Sequence, residues 1–175
     1  IDAVLGIAKA YTTRVGSGPF PTELTDEVGQ GLQERGNEFG STTGRPRRCG
    51  WFDAVVVRHA TQVNGLTSLV LTKLDVLDGC KEVKLCTGYR HGGTLYKDMP
   101  SDLDVLTNCE PVYQRMKGWT ASTTGATTYK QLPVEAKRYL ARIEDLVQCR
   151  IDMISTGSKR AETIVLRNPL DCSRR

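Results

Sequence analysis

The sequence predicts a mixed α/β domain, in which helices flank a sheet of parallel and antiparallel strands. Two short apolar runs of strand length, residues 66–73 and 151–154, end in polar residues. A stretch that begins at Pro133 has apolar residues at helical spacing. Gly92-Gly93 separates two further strand-like runs, which is typical of a hairpin. A length of 175 residues fits one domain, so we expect a single domain over residues 1–175.

The first part of the chain is predicted to contain helices and a polar loop. Thr25 can cap a short helix that ends at Gly36, and a loop then covers residues 37–50. The chain is expected to open with an amphipathic helix, whose face carries Ala3, Val4, Ile7, Ala8 and Tyr11. A second helix, residues 52–63, is expected to bury a stripe made of Ala54, Val55, Val56, His59, Ala60 and Val63. In that stripe His59 is interpreted as a packed core residue rather than a catalytic one.

The remaining elements are predicted to be mostly strands. Residues 66–73 form a buried strand, and 83–89, 94–97 and 111–119 form further strands. A Thr/Ser/Gly loop covers residues 120–128. Two short strands, 151–154 and 163–166, close the fold. A helix that begins at Pro133 lies between this loop and the strand at 151–154. Its buried face is expected to carry Ala136, Leu140, Ile143 and Val147.

Composition excludes several classes of protein. The longest apolar runs are too short to span a bilayer and no signal pattern opens the chain, so we expect a cytoplasmic protein without a membrane segment. The net charge of +4 comes from scattered Lys and Arg residues and does not by itself indicate nucleic-acid binding. The cysteines form no Cys-x-x-Cys pair and are interpreted as reduced thiols rather than a zinc site. Cys80 and Cys86 bracket a predicted strand, too far apart for a disulfide.

Two separate segments have the side chains needed to recognise a guanine base. The Asp75 carboxylate can accept from the N1–H and the exocyclic amine of guanine, which adenine does not offer. The stem of Lys73 can lie along the flat base, and Ser155-Thr156-Gly157 can turn backbone N–H groups toward O6. Because Lys73-Leu74-Asp75 ends a predicted strand, its other interpretation is the ordinary polar end of a strand.

Three arginines lie close together in the polar loop. Arg45, Arg47 and Arg48 repel one another unless anions neutralise them, so the loop is either solvated or an anion site. Arg45 and Arg47 can clamp carboxylate or phosphate oxygens bidentately, and Pro46 between them favours extended backbone. Thr42, Thr43 and Gly44 can add hydroxyl and amide donors, so the flanking sequence favours an anion site.

Five stretches of the chain closely resemble signatures of the adenylosuccinate synthetase family. They occur in the same order and at the same spacing from end to end. The stretches are GSGPFPTEL at 16–24, GNEFGSTTGRPRRCGWFD at 36–53, LTKLDVLDG at 71–79, KEVKLC at 81–86, and Ser155-Thr156-Gly157 running into Glu162-Thr163-Ile164.

The resemblance implies the C-terminal part of a larger P-loop-like, GTP-dependent ligase fold. Such enzymes are homodimers that use GTP and Mg²⁺ to activate IMP and join L-aspartate to it. The segment at about 37–50 would close over L-aspartate, through Ser41, Thr42, Thr43, Gly44, Arg45, Pro46 and Arg47. Arg45 and Val15 would also reach IMP. GTP would be contacted by Arg47 and by the segments 73–75 and 155–157, that is Lys73, Leu74, Asp75, Ser155, Thr156 and Gly157.

The resemblance also exposes an absence in the sequence. Family members have a glycine-rich phosphate loop of the Gly-Asp-Glu-Gly-Lys-Gly-Lys type, followed by a catalytic His, and this sequence contains neither. We therefore expect a C-terminal portion without catalytic or metal-binding residues, with Mg²⁺ bound elsewhere, and inactive by itself.

Two other functions fit the sequence less well. A non-catalytic module for guanine nucleotide or RNA would interleave aromatic side chains with basic ones, and only Trp51 lies beside the arginines. A purely structural oligomerisation domain would leave the arginine cluster unexplained.

Overall fold

A computed structural model describes residues 2–168, in which strands and helices alternate along the chain. Short 3-10 turns cover Leu74–Leu77, Tyr129–Gln131 and Arg160–Glu162. The strands and helices are β1 (Leu5–Lys9), β2 (Thr12–Arg14), α1 (Glu27–Arg35), β3 (Arg48–Gly50), β4 (Phe52–Asp53), α2 (Ala54–Asn64), β5 (Ser68–Thr72), β6 (Glu82–His91), β7 (Thr94–Tyr96), α3 (Leu103–Asn108), β8 (Glu110–Lys117), α4 (Val134–Val147), β9 (Ile151–Ser155) and β10 (Thr163–Val165).

The main sheet has the strand order β1-β5-β9-β10. Strands β1, β5 and β9 run parallel, and β10 runs antiparallel to β9. Lys9 lies opposite Thr72, and Leu71 lies opposite Ile154, so the three parallel strands end at one edge of the sheet. Among the described residues β1 has strand pairing on one side only, and Ile7 on it is 78% exposed.

A second sheet is built around β6. It runs parallel to β4 and antiparallel to β7 and β8. Gly92 and Gly93 connect β6 to β7 with positive φ angles of 54° and 78°, which confirms the predicted hairpin. Strands β2 and β3 form a small separate antiparallel pair, in which Arg14 lies opposite Arg48.

Sequence patterns predicted two helices well. Helix α4 begins after Pro133 and buries Ala136, Leu140, Ile143 and Val147, as expected. Helix α1 ends at Gly36 as predicted, but its N-cap is Asp26 rather than Thr25, because the Asp26 carboxylate accepts from the Gly29 N–H. Within residues 2–168 no helix has the length and apolar character needed to cross a bilayer.

The predicted opening helix is wrong. Residues 5–9 and 12–14 are strands, because β1 pairs along its whole length with β5, which lies far along the chain. The apolar residues in such a short run are compatible with both the helix period and the strand period. Pairing with a distant strand decides which of the two forms. The short helix α3, capped by Asp102, was not predicted.

The predicted stripe on α2 is only partly correct. Ala54 and Val55 are buried, but Val56 is 38% exposed and Val63 is 65% exposed. His59 is exposed, so its interpretation as a core residue is wrong. The start of the helix is set by Asp53, a buried N-cap whose carboxylate accepts from Val55 and Val56 N–H and from the Tyr89 hydroxyl.

Candidate functional site

The candidate site lies where the parallel strands of the main sheet end. Directly after β5, Lys73 adopts a left-handed backbone conformation with φ 59° and ψ 38°. A non-glycine residue in this region costs about 1 kcal/mol, which the following turn offsets. Leu74, Val76 and Leu77 anchor that turn in the core and fix Asp75 between them. Leu74, predicted to contact GTP, has a fully buried side chain and acts as an anchor.

Lys73, Asp75 and Gly157 line one cleft of about 490 Å³, called here the Asp75 cleft. The two segments predicted to read guanine therefore meet in space, although 79 residues separate them along the chain. The other residues that line the cleft are Arg35, Gly36, Asn37, Val76, Thr124, Ser158, Lys159 and Glu162.

Asp75 lines this cleft, and one of its two carboxylate oxygens has no hydrogen-bond partner among the described residues. Its Oδ1 atom is buried and accepts no hydrogen bond from the described residues. Burial raises the pKa of Asp75, and the nearby carboxylates of Asp78 and Glu162 raise it further, while Lys73 and a backbone N–H oppose them. An unsatisfied buried acceptor is costly, so this position favours a ligand that donates hydrogen bonds.

The second segment is held rigidly by its own hydrogen bonds. The Ser155 hydroxyl donates to the Gly157 carbonyl at 2.7 Å, and the buried Thr156 hydroxyl donates to the Ala126 carbonyl at 2.9 Å. A Cβ atom on Gly157 would lie 2.3 Å from Oε2 of Glu162, so any other residue there would require the Glu162 carboxylate to move. Ser155 and Thr156 therefore shape the loop, and Gly157 presents backbone to the cleft.

Asp78 fixes a third segment beside the cleft. Its carboxylate accepts from the Trp119 indole N–H at 2.7 Å, from the Thr123 N–H at 2.6 Å and from the Ser122 hydroxyl at 3.1 Å. These bonds hold the loop after β8 so that Thr124 lines the Asp75 cleft. Nothing in the sequence marks this acid as different from a surface residue.

The predicted aspartate-binding loop is a narrow hairpin with an exposed tip. The Gly40 N–H donates to the Arg45 carbonyl at 2.8 Å, and the Arg47 N–H donates to the Glu38 carbonyl at 2.8 Å. Phe39 and Pro46 lie opposite each other in this hairpin. The predicted binding residues Ser41, Thr42, Thr43, Gly44, Arg45 and Pro46 are all exposed.

The three arginines of the loop have different surroundings. The sequence suggested either a solvated loop or an anion site, and neither alternative includes pairing with carboxylates of the same chain. Arg48 pairs with Glu23 at 2.5 Å and donates to the Gly16 and Gly18 carbonyls, so it is structural. Arg47 pairs with Glu38 at 2.9 Å. Arg45 is exposed, and within residues 2–168 its side chain makes no hydrogen bond or ion pair. Two of the three arginines thus pair with carboxylates of this chain, Arg48 with Glu23 and Arg47 with Glu38.

Glu38 is the centre of a buried charged group, called here the Glu38 cluster. Its side chain is 0% exposed and accepts from the Lys9 ammonium at 2.8 Å, the Tyr11 hydroxyl at 2.5 Å, the Lys73 ammonium at 2.9 Å and the Arg47 guanidinium at 2.9 Å. Burial alone would raise the pKa of this carboxyl, but the four donors outweigh it and lower the pKa to about 2. Sequence reasoning missed Glu38, because two of its cations, Lys9 and Lys73, lie far from it along the chain.

The Glu38 cluster predicts a specific loss of stability in acid. Because the folded-state pKa is lowered, the contribution of Glu38 is complete above pH 4.5 and is lost as the pH falls toward 2. A displacement of this size corresponds to about 3 kcal/mol of unfolding free energy at pH 7. Urea unfolding of the chain between pH 7 and pH 2.5, compared with Glu38→Gln, measures it. The variant should be less stable at pH 7 and lose less on acidification; equal slopes would contradict the expectation.

Val15 lies apart from these residues. It follows β2, is 78% exposed, and lines neither the Asp75 cleft nor the Glu38 cluster. The cysteines at 49, 80, 86, 109 and 149 are free thiols, and Cys172 lies outside the described residues.

Comparison with known proteins identifies close relatives. A family model described as adenylosuccinate synthetase matches residues 1–164. The adenylosuccinate synthetase of Saccharophagus degradans is 58% identical over 171 residues, which are 98% of this chain and 40% of that protein. That of Trichlorobacter lovleyi is 54% identical over 169 residues, or 97% of this chain and 39% of that protein.

A solved structure agrees with the sequence matches. The fully ligated adenylosuccinate synthetase of Plasmodium falciparum is 39% identical and superposes with a TM-score of 0.90, over 94% of this chain and 40% of that one. The chain therefore spans about 40% of the length of the relatives it matches.

Proposed function

Because this chain belongs to the adenylosuccinate synthetase family, we propose that it is the part of such an enzyme that binds the guanine base of GTP and captures L-aspartate. The whole enzyme would use GTP to join L-aspartate to IMP and form adenylosuccinate, a ligation that makes a C–N bond in purine biosynthesis. The proposal rests above all on Asp75, which lines a cleft together with Lys73 and Gly157 and whose buried Oδ1 oxygen has no hydrogen-bond partner among residues 2–168.

The Asp75 cleft suits guanine better than adenine. The Asp75 carboxylate would accept from N1–H and from the exocyclic amine, which satisfies the buried oxygen. Adenine has an acceptor at N1, so the same carboxylate would repel it. The ammonium of Lys73 is drawn to the Gly36 carbonyl at 2.5 Å and to Glu38, which leaves the apolar stem of Lys73 beside the cleft for the flat base.

The exposed tip of the hairpin suits a carboxylate ligand. Arg45 has an unengaged guanidinium, and Thr42, Thr43 and Gly44 offer hydroxyl and backbone donors beside it. We assign residues 41–47 to L-aspartate, with Arg45 and Val15 also toward IMP and Arg47 also toward GTP. Burial of Trp51, which is 4% exposed, weakens the alternative of an RNA-binding module, because this ring cannot stack on a base.

The rest of the active site would come from the part of the protein that this chain does not cover. Mg²⁺ would neutralise charge on the phosphates of the nucleotide. Within residues 2–168 no group of three or more His, Cys, Asp or Glu side chains could hold a metal ion, so we assign no step to the metal here. From the family resemblance we also propose a cytoplasmic homodimer for the full-length enzyme.

Activity assays test the proposal directly. A full-length family enzyme that carries these 175 residues should form adenylosuccinate from IMP, GTP, Mg²⁺ and L-aspartate, and ATP in place of GTP should fail. The 175-residue chain alone should give no measurable product, because the phosphate loop and the catalytic His are missing. Absence of product from the full-length enzyme would overturn the proposed function. Product from the chain alone would overturn only its predicted inactivity.

A further inference from the structure

Glu38 connects two residues that the proposed function assigns to different ligand groups. One carboxylate oxygen, Oε1, accepts from Lys73 of the Asp75 cleft, and the other, Oε2, accepts from Arg47 at the base of the aspartate hairpin. Lys9 and Tyr11 also donate hydrogen bonds to the Glu38 carboxylate, and the Lys9 ammonium donates a further bond to the Thr13 hydroxyl at 2.9 Å. The fully buried carboxylate therefore has little freedom to move independently of these donors.

The two cations keep donors for a ligand after they have bonded to Glu38. An ammonium has three N–H groups, and Lys73 uses two of them on the Gly36 carbonyl and Glu38. A guanidinium has five, and the Arg47 side chain uses one of them on Glu38. Glu38 thus fixes the orientation of both side chains without occupying all of their binding capacity.

The net charge of the Glu38 cluster also indicates a role in ligand binding. Three cations, Lys9, Arg47 and Lys73, surround one carboxylate, so the Glu38 cluster keeps a net charge of about +2 beside the two sites. One cation would already neutralise the charge of the Glu38 carboxylate. The excess positive charge at Arg47 and Lys73, which are 29% and 35% exposed, favours an anionic ligand near them.

We propose that Glu38 is a positioning residue, which sets Lys73 against the base of the nucleotide and Arg47 against L-aspartate and GTP. This role rests on the proposed function of the cleft and the hairpin. It makes one residue, which touches neither ligand, necessary for the recognition of both. A neutral side chain at position 38 would remove the negative charge that holds both cations.

Steady-state kinetics of Glu38→Gln in the full-length enzyme test the proposal. We expect KM for GTP and KM for L-aspartate to rise together, each by about tenfold or more, since a charge-assisted hydrogen bond is lost at each cation. The turnover number should fall by less than about threefold, because Glu38 contacts no reacting group. Unchanged KM values in a folded, active variant would overturn the proposal.

Asp152→Asn is the matched control. Asp152 is also 0% exposed and is held by Arg150 and Arg167, and none of the three lines the Asp75 cleft. It should lower thermal stability while both KM values stay near those of the unchanged enzyme. If it raises both KM values as much as Glu38→Gln does, general destabilisation explains the effect and the proposal fails.

Two further variants remove the remaining ambiguities. Glu38→Asp keeps the charge but retracts it by one methylene, so positioning predicts raised KM values in a stable enzyme, and values near wild type would contradict it. Combining Glu38→Gln with Arg47→Ala should raise KM for L-aspartate no further than Arg47→Ala alone; additive losses would contradict action through Arg47. If the full-length enzyme without any substitution has no ligase activity, the proposed function itself is refuted.

Discussion

Asp75→Asn in the full-length enzyme is expected to reverse the preference between GTP and XTP. The amide cannot accept from both guanine donors, and the exocyclic amine loses its charged partner. Xanthine has an oxygen at C2, to which the Asn amide can donate. Exchange of a charged for a neutral hydrogen-bond pair is worth about 2–3 kcal/mol, or about two orders of magnitude in the ratio of kcat/KM values.

The measurement is kcat/KM for both nucleotides in the unchanged enzyme and the variant. Asp78→Asn is the matched control, because this neighbouring carboxylate bonds Trp119, Ser122 and Thr123 and does not line the cleft. Asp78→Asn should lower kcat/KM for GTP and for XTP by a similar factor. If Asp75→Asn leaves the GTP-to-XTP ratio within a few fold of the original, Asp75 does not read the base.

Arg45→Ala is expected to raise KM for L-aspartate strongly while the melting temperature hardly changes. Arg45 is exposed and unengaged, so its removal costs the fold little. Each charge-assisted bond that it would make to the ligand is worth about 1.5–3 kcal/mol, or about tenfold to a hundredfold in affinity. Equal losses of stability and activity would indicate a structural role instead.

The neighbouring arginines supply the controls for this result. Arg47→Ala should raise KM for L-aspartate and also lower the melting temperature, because Glu38 loses one of its cations. Arg48→Ala should lower the melting temperature through the lost Glu23 pair, without a selective effect on L-aspartate. Kinetics and thermal unfolding of all three variants separate the roles, and a uniform outcome would contradict the assignment.

The sequence predicted those features that local pattern controls. Helix α4 follows from Pro133 and a regular apolar face, and the β6–β7 hairpin follows from two adjacent glycines. Placement of Lys73 and Asp75 at the end of β5 also follows from pattern, because an apolar run of strand length stops there. Their meeting with Gly157 was predicted only through the family resemblance, since no local rule joins the two segments.

Features that depend on distant partners were not predictable in this way. Strand β1 is a strand because β5 pairs with it, and His59 is exposed because α2 packs against α4 and β6 through other residues. Glu38 looks like a solvated acid in a polar loop until the fold brings Lys9 and Lys73 to it. Long-range pairing of charges leaves almost no periodic trace in a sequence.

The one-sided pairing of β1 has a consequence for work with the isolated chain. Backbone N–H and C=O groups along the side of Leu5–Lys9 that no strand within residues 2–168 pairs with can template a strand from another molecule, and the 78% exposed Ile7 adds an apolar contact. Proteins usually protect such an edge with charges, prolines or a covering element, and within Leu5–Lys9 the terminal Lys9 is the only charged residue and there is no proline. Self-association through β1 therefore competes with soluble behaviour, and a charged residue in place of Ile7 is the most direct way to suppress it.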